Sequence, residues 1–366
     1  MTSTDPLFQA FHSRTLELPN RIVMAPMTRA FSPGGIPGKD VAAYYRRRAA
    51  GGVGLIITEG TAPEHPAAAS DANVPLFYGE ALEGWAEVVR EVHAAGGRVM
   101  PQLWHVGGLR KPGQGHFPDV PSSMPSGLHH SGKAVGQPLS EAEIADLIAG
   151  YATSAGYAKA LGFDGVEVHG AHGYLIDQFF WERTNQRTDR WGGSLVARTT
   201  FAAEVIRAIR RAVGPGFPVI LRFSQWKQQD YPAKLAPDPA ALEAFLAPLT
   251  DAGVDLYHCS TRRFWEPEFE GSPLNLAGWT KKISGLPTIT VGSIGLAEEF
   301  IATYRNDDPA APAPIDELLE RLAAGEFDLV AIGRMLIVEP EWPQKARAGR
   351  LAEVRPYSRA ALATLD

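Results

Sequence analysis

Two histidines and a tyrosine fall within six residues of one another: His169, His172 and Tyr174, in HGAHGYLIDQFFWERTNQRTDRWGGS, which runs from His169 to Ser194. Directly before them stands the apolar run DGVEVHG, which reads as a strand. Two imidazoles can grip one oxygen atom, and a phenol can deliver one proton, chemistry that suits a reductase site among others. If the chain turns helical here, His169 and His172 lie about 60° apart around the axis and Tyr174 points elsewhere. The histidines then hold one substrate atom while the phenol approaches from another side. Packing histidines with no ligand are the plain alternative. The competing chemistry is a metal-dependent hydrolase in which His105 or Glu167 joins His169 and His172 as a third ligand. The glycines and alanine between them supply no carboxylate, which weighs against metal.

Arg222 ends the run VILRFS, and a guanidinium at that depth is costly unless it meets an anion, a carboxylate or an electron-rich ring. Two further runs end in VGSIG and AIGRM, placing Gly292, Ser293, Gly333 and Arg334 at turns suited to phosphate. A non-catalytic barrel that merely holds a phosphorylated ligand through Gly292 and Gly333 is therefore a third reading.

These residues need elements to carry them, and eight apolar runs supply the strands. They are Arg21–Met27, Gly52–Gly60, Gly97–Trp104, Phe163–Gly170, Phe217–Ser224, Gly253–Ser260, Leu286–Ser293 and Phe327–Arg334. Near-continuous apolar runs suit parallel strands covered on both faces. Helical patterns lie between them, such as SEAEIADLIAGYATSAGYAKALG, where Ser140 and Glu143 form the spacing of a capping box. Eight strand–helix units predict an α/β chain, a (β/α)8 TIM barrel of one domain over residues 1–366, with extended loops at the C-terminal face. An open doubly wound sheet is the runner-up, but no GxGxxG follows the first strand. Three excursions, 105–139, 225–238 and 261–275, follow the third, fifth and sixth strands, where active-site loops belong. A fourth, NDDPAAPAPID, reads as a surface connection without chemistry.

The net charge of −6 gives no reason to expect nucleic acid or an anionic membrane as partner. The single cysteine, Cys259, excludes internal disulfides and four-cysteine metal sites. With no signal peptide and no apolar run near 20 residues, the expectation is a cytoplasmic protein.

Taken together, NRIVMAPMTR at Asn20–Arg29, PQLWHVG, HGAHGYLIDQF with NQRTDRWGGS, ITVGSIG and DLVAIGRMLIVEPEWP resemble the Old Yellow Enzyme family of FMN-dependent ene-reductases. The likeness covers nearly the whole chain. It implies non-covalent FMN across the barrel mouth, bordered by Pro26, Met27 and Thr28, with Gly60 and Gln102 on the pyrimidine side. Arg222 would stand beside N1 and O2, where negative charge gathers on reduction, and Gly292, Ser293, Gly333 and Arg334 would hold the phosphate.

The resemblance likewise implies that His169 and His172 donate to a carbonyl or nitro oxygen of an activated alkene. Reduced flavin gives hydride to the β-carbon, and Tyr174 protonates the α-carbon from the opposite face, a trans addition. NADPH or NADH must first reduce the flavin in the same place, so the cycle is expected to be ping-pong. Trp104 is expected to shape the substrate pocket, with Trp226 and Trp265 as further candidates. The sequence departs from the family's commonest form at His172, often Asn, and after Arg222, where SQWKQQDYPAKL replaces a short Ser-Pro segment. The single cysteine, with the chain's end after the eighth unit, leads to the expectation that it differs from multidomain iron–sulfur relatives. A monomer or homodimer is expected, leaning to the dimer.

Overall fold

In a computed structural model, residues 3–298 and 309–366 are described. Eight parallel strands close into a barrel: β1 (Ile22–Met24), β2 (Leu55–Thr61), β3 (Arg98–Leu103), β4 (Val166–His172), β5 (Val219–Lys227), β6 (Leu256–Ser260), β7 (Thr288–Val291) and β8 (Leu329–Ile332). β8 pairs with both β7 and β1, which completes the ring. The strands are buried along nearly their whole length because helices cover them outside and side chains fill them inside. No described helix is long and apolar enough to cross a membrane.

The barrel floor is closed by a short hairpin, Phe11–His12 with Glu17–Leu18. Its Phe11, Leu16 and Leu18 join Val23, Leu55, Ile220, Leu256, Ile289 and Leu329, near the strand beginnings, in one apolar cluster. Arg14 and Arg210 both pair with the buried Asp255 carboxylate, which locks the hairpin under the barrel. Ser140 and Glu143 make the expected capping box at the start of the helix Glu141–Leu161, which ends at left-handed Gly162.

The structure corrects the reading in two places. The single helical pattern that SLVARTTFAAEVIRAIRRAVG (Ser194–Gly214) presents is two helices, Leu195–Arg198 and Thr200–Val213, separated at Thr199. β5 runs three residues beyond Ser224, so Gln225, Trp226 and Lys227 belong to the barrel rim rather than to a loop. They stay extended because the register shifts after Gly170, letting His172 pair with Lys227. Of the Pro/Ala segment, Asn306–Asp308 lie outside the described residues.

Candidate active site

Above the apolar floor the barrel interior turns polar. Gln102 Nε2 donates to Glu167 Oε1 at 2.7 Å, and Glu167 Oε2 lies 2.6 Å from His258 Nδ1. All three side chains are buried and span β3, β4 and β6. His258 escaped the sequence reading, although its place two residues after inward-facing Leu256 was a usable sign.

Over this layer opens a cavity of about 820 Å³. Pro26, Met27 and Thr28 line it after β1, Gly60 on β2, and Gln102 and Trp104 at β3. β4 contributes His169 and His172, the turn after it Tyr174, β5 Arg222, and the turns after β7 and β8 contribute Gly292, Ser293, Gly333 and Arg334. Every residue singled out above for flavin or substrate, Trp265 excepted, therefore borders one space. Trp226, Gln228, Tyr231, Ser260 and Arg262 line it too, whereas Trp265 does not.

His169 and His172 do not sit on a helix. Both belong to β4, where residues three apart would face opposite sides of a regular strand. The register shift between Gly170 and His172, with His172 at φ +66°, turns the second ring back beside the first. Their centroids lie 5.1 Å apart with the planes at 84°. Tyr174 stands edge-on to His169 at 5.2 Å and to Trp104 at 5.0 Å. Trp226 covers His172 at 4.6 Å and continues into a stack with Tyr231.

Burial, with Arg222 adding its charge, pushes both imidazoles well below the ordinary histidine range. They are neutral at neutral pH, so each ring carries a single N–H. His169 Nδ1 accepts the Ala171 amide at 3.2 Å, which places that ring's proton on Nε2. Burial raises the Tyr174 phenol, opposed by Gln228, whose amide donates to the hydroxyl at 3.4 Å. Tyr174 thus keeps its proton at neutral pH and has one to give.

The alternative metal triad is not assembled. His105 turns from the cavity to His65, with Nε2 3.0 Å from its Nδ1, while its own Nδ1 accepts the Gly107 amide. Glu167 is committed to Gln102 and His258. Cys259 is buried and its thiol is pushed up to about 12 by desolvation, so it contributes no thiolate.

A flat, phosphate-bearing anion fits the remaining lining. Arg222 is buried with Nε lacking any protein partner, an orphaned donor at the cavity wall. Ser293 takes φ +50°, and Arg334 donates to its hydroxyl at 3.4 Å and to the Glu298 carbonyl at 2.7 Å. An anion here would meet backbone turns and cationic groups together.

Comparison with known proteins agrees with this geometry. Residues 6–311 match the model of the NADH:flavin oxidoreductase / NADH oxidase family. The chain belongs to that family. It is a flavin oxidoreductase of the Old Yellow Enzyme group, with FMN as cofactor and a nicotinamide nucleotide as reductant. It is 36% identical to an NADH oxidase of Thermoanaerobacter brockii over 97% of its length, yet spans only 52% of that protein. With 12-oxophytodienoate reductase 7 of Oryza sativa subsp. japonica it shares 34% identity, covering 99% of this chain and 92% of the relative. The structure of morphinone reductase in complex with tetrahydroNAD superposes with a TM-score of 0.80 at 28% identity, covering 97% of this chain and 93% of the other.

Proposed function

We propose that residues 1–366 act as one FMN-binding ene-reductase unit, reducing the C=C bond of α,β-unsaturated carbonyl or nitro compounds at the expense of NADPH or NADH. The observation that carries this is the grouping of two neutral imidazoles and one protonated phenol around a single cavity mouth. FMN, when bound, supplies the two-electron chemistry.

Pro26, Met27, Thr28, Gly60 and Gln102 would border its ring, Arg222 would face its charge, and Gly292, Ser293, Gly333 and Arg334 would hold its phosphate. His169, through Nε2–H, and His172 polarise the substrate oxygen, drawing electron density from the alkene. Tyr174 hands its hydroxyl proton to the α-carbon, and Gln228 steadies that hydroxyl. Trp104 and Trp226 wall the substrate space and exclude water from it. Reductant and alkene use the same mouth in turn, which gives a ping-pong cycle with trans addition.

The test is the visible spectrum of the purified protein under anaerobic NADPH, followed by cyclohexenone. A flavin band that bleaches and then returns is the expected result. A protein that remains colourless after incubation with FMN would overturn the reading.

A further inference from the structure

A neutral imidazole has one N–H, so His172 can grip a substrate oxygen only if the proton is on the nitrogen that faces the substrate. The neighbour of its other nitrogen decides this. His172 Nε2 lies 2.8 Å from Ser260 Oγ, at the end of β6. The same serine oxygen accepts from Arg222 at 3.4 Å. A guanidinium can only donate, so Arg222 uses a lone pair of the serine oxygen and the serine keeps its own O–H to give away. At 3% exposure Ser260 has no bulk water to receive that proton, and the ring nitrogen within reach is His172 Nε2.

We infer that Ser260 is a positioning residue that fixes the tautomer of His172, through the chain Arg222 N–H to Ser260 O–H to His172 Nε2, leaving the proton on Nδ1. This rests on the reading of His172 as an oxygen-gripping group and adds how that grip is set. It also joins the two halves of the cavity. The arginine assigned to the cofactor and the histidine assigned to the substrate share one hydroxyl. His169 reaches the same condition by another route, through the Ala171 amide on its Nδ1. Backbone sets one histidine and a side chain sets the other. Only the second can be changed by substitution without touching the rings.

The experiment is nitrogen-15 NMR of histidine-labelled holoprotein, in which bare and protonated ring nitrogens resonate far apart. His172 is assigned by its loss in His172→Asn. The expected result is a protonated Nδ1 and a bare Nε2 in the wild type. In Ser260→Ala the proton redistributes towards Nε2. The dissociation constant of p-hydroxybenzaldehyde, a phenol that mimics the substrate oxygen, then rises about tenfold or more, as for the loss of a hydrogen bond to a charged group. Ser260→Thr keeps the hydroxyl and should hold both readouts near wild type. A serine that merely fills space would leave the tautomer unmoved in Ser260→Ala, and that result overturns the inference. So does a wild-type His172 protonated at Nε2, a measurement that needs no variant to fold. If the tautomer follows Ser260 while phenol affinity is the same in wild type, Ser260→Ala and His172→Asn, the tautomer assignment stands and the oxygen grip falls.

Discussion

Lys227→Met should cost this protein several degrees of thermal stability and much of its alkene reduction, although the lysine is not expected to touch substrate. Lys227 Nζ lies 2.6 Å from Asp177 Oδ1, and the two side chains are 1% and 0% exposed. The other oxygen of Asp177 accepts the Gly173 amide at 2.7 Å, in the left-handed turn between His172 and Tyr174. Burial pushes the Asp177 carboxyl up, and Lys227 pulls it back. Removing the cation strands a carboxylate in the interior, a loss of about 3–5 kcal/mol.

At about 2 cal/mol/K of unfolding entropy per residue, a chain of this length loses about 4–7 °C in Tm. Calorimetry of the flavin-saturated protein measures that shift. The double variant Lys227→Met with Asp177→Asn removes the charge yet keeps an oxygen for the Gly173 amide, so it should regain most of the stability and activity. Lys227→Met with Asp177→Leu removes the charge and the acceptor, so it should regain stability less completely and leave alkene reduction impaired. A midpoint that moves by less than about 1 °C in Lys227→Met would refute the reasoning. So would an Asn double variant no more active than the Leu one.

Glu59 is held at about 7 by burial, despite hydrogen bonds from the Arg29 and Ala30 amides that favour its charge. A raised carboxyl stabilises the fold fully below about pH 4.5 and loses that contribution as pH climbs through 7, about 3 kcal/mol in all. The stability difference between wild type and Glu59→Gln should therefore fall across this window, and parallel curves would contradict the burial argument. Tyr174→Phe should slow reoxidation of the flavin by an enone at least tenfold to a hundredfold while leaving its reduction by NADPH nearly unchanged. Stopped-flow absorbance separates the two half-reactions, and equal losses would remove the tyrosine as proton donor. Gly292→Ala places a methyl carbon 2.7 Å from Thr261 Oγ1 and 2.8 Å from its carbonyl oxygen, on a backbone at φ +150°. The turn must shift, so less FMN should survive gel filtration, and an unchanged flavin-to-protein ratio would show that the turn does not hold the phosphate.

The eight strands were legible because each is a near-continuous apolar run, a pattern set by burial on both faces. The outer site was legible because chemistry-bearing residues stand at strand ends: His169, Arg222 and Arg334 announce themselves by position. What escaped was polar and internal. His258 looks like ordinary strand punctuation until Glu167 is seen to join it to Gln102. QWK after Ser224 reads as loop because nothing local marks it as extended, and it stays extended only through its pairing with a distorted β4. Lys227 and Asp177 lie 50 positions apart, and neither carries a local sign of the other. The spacing of His169 and His172 suggested a helical turn, because a left-handed histidine that reverses a strand's alternation has no signature in residue type.

The hairpin under the barrel has a kinetic consequence. With Phe11, Leu16 and Leu18 sealing the floor, the cavity of the described barrel lies at the strands' C-terminal ends. On the proposed cycle nicotinamide and alkene take turns at it, each leaving before the other enters. Whichever is in excess blocks its rival, so turnover should pass through a maximum as either concentration rises. The position of that maximum depends on the balance between the two visitors rather than on the amount of either.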